Sequence, residues 1–287
     1  MFQRDKIRYE RVKDSADVMP LGSGALAGLP YPIDREYVAK KLDFSSISEN
    51  SMDAVSDRDF LLDFHSATAT CGIHISRLSE ELVLWSSEEF SFITMGDDYT
   101  TGSSIMPQKR NPDFAELARG KTGRLIGNLV ALLTVLKGLP LTYNRDLQED
   151  KESFFDSDDT IVAILDIFSG MLASLHVNEE NTHLATEKGL LLATDLADYL
   201  VAKGLTFRKS HTIVSKLTDY VLEHHKTFSE LTLSEYQEFS NEFDSEVFKI
   251  TPETSIENRK TYGGTATSMV SDSIVRARKR LKNTKLN

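Results

Sequence analysis

Apolar residues recur every three or four positions through most of this chain, and the strict alternation that marks strands is nearly absent. Within residues 57–88, Phe60, Phe64, Ala67, Cys71, Ile75, Leu78 and Leu82 form one stripe, which predicts a helix of about eight turns. After Pro112 the pattern returns with Phe114, Leu117, Leu125, Leu129, Leu132 and Leu136 and stops at Gly138 and Pro140, residue types that end helices. A third run, over residues 147–176, carries Phe155, Ile161, Ile164, Ile167, Phe168, Met171 and Leu172. Three long amphipathic helices must bury their stripes against one another, so the pattern predicts part of a helical bundle. Shorter helices are expected over residues 193–203, 207–224, 233–243 and 265–282, with Gly204, Gly263 and Gly264 as turns. The predicted fold class is all-α: an incomplete long-helix bundle in residues 1–180 and a small C-terminal helical domain in residues 181–287.

Candidate chemistry gathers between the first two long helices, where residues 102–113 read Gly-Ser-Ser-Ile-Met-Pro-Gln-Lys-Arg-Asn-Pro-Asp. Asn111 has the side chain of an N-cap and Pro112 suits a first helical position, so a helix is expected to begin at Pro112. Its free N–H groups, the helix dipole and the Lys109 charge would make a site for a carboxylate. Residues 97–104 are small and polar, the composition of a loop that opens and closes over a site, with Ser103 riding on it beside Ser104. A surface loop that only caps a helix would read the same way.

The string resembles the signature of the fumarase/aspartase superfamily, whose members break a C–N or C–O bond and release fumarate. Residues 137–152, Lys-Gly-Leu-Pro-Leu-Thr-Tyr-Asn-Arg-Asp-Leu-Gln-Glu-Asp-Lys-Glu, resemble the substrate segment of argininosuccinate lyases and their lens relatives, the delta-crystallins, and Gln108 agrees. Residues 20–28, 50–53, 192–197 and 263–266 extend the likeness over nearly the whole chain. By that resemblance Ser103 exchanges a proton at carbon, Lys109 activates it, and Asn111 and Ser104 hold the substrate. Glu116 pairs with a catalytic histidine, and Tyr143, Gln148 and Lys151 bind substrate. A hydroxyl needs such a cationic neighbour, because at its ordinary pKa it is a poor base. The family's Ser-Arg-Asn-Asp-Gln and Thr-His-x-Gln-x-Ala-Gln-Pro stretches do not occur in these residues, and His183, followed by Leu184, Ala185 and Thr186, reads as an ordinary helix residue. The chain is therefore expected to be the C-terminal part of a lyase and inactive alone. The resemblance further implies a homotetramer with active sites shared among subunits, a small-molecule substrate, argininosuccinate, and no cofactor. A non-catalytic structural protein and another fumarate-releasing lyase, such as adenylosuccinate lyase, are the alternatives.

Composition narrows the picture. The 44 acidic against 33 basic residues give a net charge of −11, which disfavours nucleic acid as a partner because phosphate contacts need a basic face. The basic run from Arg276 to Lys285 suits a helix C-terminus with solvated side chains. One cysteine, Cys71, excludes an internal disulfide and sits on the apolar stripe as a core thiol. No transmembrane run is visible, and the cytoplasm is the expected compartment. No histidine pair has metal-ligand spacing with a carboxylate, so no metal is expected.

Overall fold

The computed structural model describes residues 1–102, 104–188 and 190–284. In chain order the helices are α1 (Phe2–Ala16), α2 (Arg35–Lys41), α3 (Ser51–Ser56), α4 (Asp59–Ser86), α5 (Asp113–Leu136), α6 (Asp150–Ala173), α7 (Glu179–Lys188), α8 (Ala193–Ala202), α9 (Phe207–Glu223), α10 (Leu233–Phe239), α11 (Pro252–Asn258) and α12 (Thr267–Thr284). Among the described residues six two-residue strands interrupt them: β1 (Val18–Met19), β2 (Ser46–Ile47), β3 (Ile93–Thr94), β4 (Thr101–Gly102), β5 (Arg110–Asn111) and β6 (His176–Val177). They form three separate pairs, β1 with β2 parallel and β3 with β6 and β4 with β5 antiparallel, so each pair fastens a loop to its neighbour rather than building a sheet. The protein is all-α. The chain divides into two compact units, Met1–Val177 and Asn178–Asn287.

The first unit is organised by α4, α5 and α6. Cys71, Ile75 and Leu82 of α4, Ala115, Ala118 and Leu125 of α5, and Ile161, Ile164, Phe168 and Met171 of α6 close one core. α4 and α5 cross closely at Gly72, where a Cβ would come within 3.1 Å of Leu125 and 3.2 Å of Thr122. There the Thr122 hydroxyl donates to the Gly72 carbonyl at 3.1 Å. The Asn128 amide of α5 donates to Asp156 of α6 at 2.8 Å. α1 lies along α4, held by Tyr9 against Thr68 at 3.0 Å and by the buried Asp5, which accepts from Arg8 at 2.9 Å and meets His74 at 2.7 Å. Burial pushes the Cys71 thiol up to about 11, so at neutral pH it is a packed, uncharged group.

Part of the predicted stripes turns outward. Leu117, Phe155, Ile167 and Leu172 are exposed, while Ala115 and Ala118 take the inner line of α5. The cause is geometric: small residues let helices approach closely, and one face of each helix suffices to close a three-helix core. The remaining apolar residues, including Val130 and Leu133 of α5 and Val162 of α6, form second faces that nothing in this unit covers.

In the second unit α8 and α9 pack through Leu196, Leu200, Val214, Leu217 and Val221, with Phe228, Tyr236 and Phe243 completing the core. α10 stops at Phe239, four residues before the predicted end, and the chain turns back so that Phe243 stacks on Tyr199 with ring centroids 5.8 Å apart. Thr227 and Thr232 begin their helices with reciprocal capping boxes to Glu230 and Glu235. The α11 helix lay outside the sequence prediction, being only seven residues long.

Two predictions test this packing. His65 on α4 is fully buried and both ring nitrogens lack a partner among the described residues, so burial lowers its pKa from 6.5. The folded chain then takes up the proton less readily than the unfolded one, so stability is full above the free-imidazole value and falls as pH drops through and below it. Thermal midpoints should decline on acidification from about pH 7.5 to about pH 5.5, and less steeply in His65→Leu. An equal slope in both proteins would reject this account. At Gly170 on α6 a Cβ would stand 1.9 Å from the Tyr99 hydroxyl. Gly170→Ala should therefore destabilise by about 1–3 kcal/mol, read from the denaturant midpoint.

Candidate active site

The signature segment is held as a hairpin. Thr101 pairs with Asn111 and Gly102 with Arg110, so the ladder ties together the two ends of the loop that carries Ser104 and Lys109, both exposed. Ser103 lies outside the described residues. The entry to this hairpin is anchored rather than loose: Asp97–Tyr99 form a 3₁₀ turn, and the Tyr99 ring meets Phe114 edge-on at 5.8 Å while its hydroxyl fills the space left open by Gly170.

Helix α5 begins one residue later than the sequence predicts. Pro112 has φ −80° and ψ 51° and serves as the N-cap, its carbonyl accepting from the Glu116 N–H at 3.0 Å. Asn111 makes no capping bond because its backbone is committed to the ladder with Thr101. Asp113 and the exposed Glu116 occupy the first turn. Their charges complement the helix dipole themselves, so an incoming anion would rely on Lys109 more than on the helix end.

A second constellation forms around an open cleft of about 880 Å³ in the same unit. Its walls include Pro20, Gly24, Ala25 and Leu26 from residues 20–28, Asp53 from residues 50–53, and Tyr143, so three segments distant in sequence meet there. Residues 20–28 make a tight loop. Gly22, Gly24 and Gly28 have φ of +95°, +61° and +81°, and a Cβ on Gly24 would lie 2.5 Å from the Gly28 carbonyl. The buried Ser23 hydroxyl donates to the Pro20 carbonyl at 2.7 Å. Arg35, from α2, clamps the loop by donating to the Leu21 carbonyl at 2.8 Å and the Ser48 carbonyl at 3.0 Å. Asn50 caps α3 through the Met52 and Asp53 N–H groups.

Arg58 completes the cleft wall, and its Nε donates to Asp150 at 2.5 Å. Asp150 is the first residue of α6 and is buried; its second oxygen accepts from Lys151 at 2.8 Å. The expected helix from about Asp146 is two structures instead. Arg145–Glu149 form a 3₁₀ turn that buries Leu147, and α6 follows from Asp150. Gln148 and Lys151 therefore flank a change of helix type, both exposed, and α6 starts without a side-chain cap.

Tyr143, 47% exposed, is the predicted site residue that lines the cleft, and Lys151 connects to it through Asp150 and Arg58. Ser104, Lys109, Asn111, Glu116 and Gln148 are not among its lining residues. Arg35, Arg58 and Asp150 escaped the sequence reading. Arg58 had one faint signal, a cation between acidic neighbours where a long apolar stripe begins, while the burial of Asp150 has no sequence signature. Among the described residues no group of three or more His, Cys, Asp and Glu side chains is disposed to hold a metal ion, and no helix is long and apolar enough to cross a membrane.

This arrangement of long helices is similar to that of solved lyases and fumarases. The fold agrees with a class II fumarase from Schistosoma mansoni, at TM-score 0.71 and 18% identity over 87% of this chain and 55% of that one. EDDS lyase in complex with formate superposes at TM-score 0.88 with 25% identity, covering 99% of this chain and 58% of that one. Residues 1–127 match the lyase family model and residues 190–257 the argininosuccinate lyase C-terminal model. The argininosuccinate lyases of Dehalococcoides mccartyi strain BAV1 and Syntrophotalea carbinolica are 55% and 52% identical over 97% of this chain and 60% of their own lengths. Over 97% of its length the chain is similar to argininosuccinate lyases. It spans about 60% of the length of these relatives.

The Arg35 clamp makes a direct prediction. Hydrogen bonds from a charged donor contribute about 1.5–3 kcal/mol each, so Arg35→Met should speed amide hydrogen exchange at Ser23 and Gly28 by tenfold or more, as about 1.4 kcal/mol corresponds to tenfold. Unchanged exchange would mean that the glycine turns hold the loop unaided.

Proposed function

We propose that this chain is the part of an argininosuccinate lyase that carries the signature hairpin and the substrate segment. The reaction is elimination of arginine from argininosuccinate with release of fumarate, a carbon–nitrogen lyase step in arginine synthesis and the urea cycle. The observation that carries this reading is the cleft, which brings residues 20–28, residues 50–53 and Tyr143, all matching the family, into one wall beside Arg58.

The chemistry begins with a proton on a carbon next to a carboxylate, whose removal leaves a carbanion with its charge delocalised into that carboxylate. Only groups that bind this dianion more tightly than the substrate accelerate the step. In this proposal Ser103 takes the proton, with Lys109 lowering the cost of the alkoxide and of the developing charge. Ser104 and Asn111 hold the reacting carboxylate. Tyr143, Gln148 and Lys151 hold the rest of the substrate. The C–N bond then breaks and the leaving guanidino nitrogen gains a proton from a histidine, the family's partner for Glu116, that has no counterpart in these 287 residues. Elimination consumes no cofactor.

A homotetramer with shared sites follows from the same reading. The exposed second faces of α5 and α6, with Leu117, Val130, Leu133, Phe155 and Val162, support it, because apolar surface of this kind is stabilised by burial against further helices. A cytoplasmic setting is supported by the single, buried cysteine. The names of the relatives favour argininosuccinate over adenylosuccinate as substrate. The Lys109, Asn111 and Glu116 positions, all matching the family, favour an enzyme over a structural protein.

Fumarate release from argininosuccinate, followed by ultraviolet absorbance, tests the proposal with the chain alone and with the chain co-expressed with the N-terminal segment of the D. mccartyi relative. Activity is expected in the mixture and not in the chain alone. Ser103→Ala should lower kcat of the active mixture by about 10³-fold. Turnover by the chain alone would overturn the assignment of the proton donor, and silence of a folded, assembled mixture would overturn the enzyme reading.

A further inference from the structure

We propose that Asp150 is a positioning residue for substrate binding: its buried carboxylate holds the Lys151 ammonium beside the Arg58 guanidinium at the edge of the cleft, so that a substrate carboxylate meets two cations in a fixed geometry. The inference rests on the reading of the cleft as a dicarboxylate lyase site and names what organises its cationic side.

Three observations carry it. Asp150 has 3% of its side chain exposed, yet it pairs with both cations at once, with one oxygen on Arg58 Nε at 2.5 Å and the other on Lys151 Nζ at 2.8 Å. Each oxygen is used once, so neither cation displaces the other. Within this trio two cations share one carboxylate, and Arg58 stands at a wall that also carries Tyr143, Asp53 and Asp57. The Lys151 contact is also unusual in direction. Adjacent helical residues project about 100° apart and do not face each other, so the lysine must curl back along the N-terminal end of α6 to reach Asp150. A lysine 61% exposed would otherwise spread over many rotamers. Arg58 is fixed from its other side as well, donating Nη1 to the Asp57 carbonyl. The start of α6 favours an anion through the helix dipole.

Arg58 keeps its bond to the Asp57 carbonyl without Asp150, so the effect of Asp150 on binding should run through Lys151 and be lost once Lys151 is gone. In the active assembly of this chain with the N-terminal segment, Asp150→Asn should raise KM for argininosuccinate by about tenfold with kcat changed far less, the signature of lost binding common to ground and transition states. Lys151→Met should raise KM by a similar or larger factor, and the double variant should be no worse than Lys151→Met alone. Additive effects, or a wild-type KM in Asp150→Asn, would overturn the inference. Where Asp150→Asn does not fold, Asp150→Glu keeps a charge for Arg58 while displacing the carboxylate by one methylene, and the same cycle with Lys151→Met separates the same two outcomes. Calorimetric binding of fumarate runs the cycle without turnover. A parent assembly that binds fumarate but releases none from argininosuccinate would sink the proposed reaction and leave the role of Asp150 to be decided by binding. One that turns over normally while the two effects add would sink the role of Asp150 alone, and one that neither binds nor turns over would sink both.

Discussion

The close crossing of α4 and α5 is the constraint on which the first unit depends. Gly72 removes a side chain at the contact, Thr122 closes the gap with a hydrogen bond to the Gly72 carbonyl, and Leu125 packs beside it. That contact fixes the axis along which α6 completes the core through Ile161, Ile164, Phe168 and Met171. Everything placed at the helix ends inherits this register. The hairpin at the start of α5 is located by Phe114 and Tyr99, whose ring can lie against α6 only because Gly170 has no Cβ. A bundle tolerates apolar exchange along its stripe far better than an added methyl at such a crossing.

Rigidity of this kind is what the proposed elimination would require, since charge that develops on a substrate must be met by groups already in place. The structure supplies two such clusters in one unit. In the hairpin the backbone ladder does the fixing, with Gly102 against Arg110 and Thr101 against Asn111. In the cleft ionic and capping contacts do it: Arg35 holds residues 20–28, Asn50 caps α3, and Asp150 joins Arg58 to Lys151. The lining of the cleft excludes Lys109, Asn111 and Glu116. Division of the proposed machinery between two clusters agrees with the proposed shared sites, and α5 and α6 keep apolar faces uncovered among the described residues.

Much of this was legible in the amino-acid sequence because the dominant signal there is local. A stripe at three- and four-residue spacing needs no tertiary information to declare a helix, and α4, α5, α6, α8, α9 and α12 all fall where the pattern put them, within a few residues at their ends. Glycine turns at 204 and 263 were legible for the same reason, since each adopts a positive φ that other residues resist. The hairpin and substrate segments stood out by their residue types and by resemblance to a family.

What the sequence could not decide was which of two competing local choices tertiary packing would favour. Asn111 and Pro112 make a good helix start in isolation, but Asn111 is drawn into pairing with Thr101, and the helix waits for Asp113. Residues 146–152 read as one helix, yet a 3₁₀ turn that buries Leu147 precedes α6, whose first residue, Asp150, is also buried. Leu117 and Phe155 carry the same hydrophobicity as Leu125 and Phe168, and only the three-helix packing separates those that face inward from those left outside. By itself the sequence determined the long helices and their order, because these depend on neighbours a few residues away. The partners of Arg58 and Asp150, 92 residues apart, and the meeting of residues 20–28 with Tyr143 were decided by the tertiary structure, because contacts between distant segments exist only once the helices have packed.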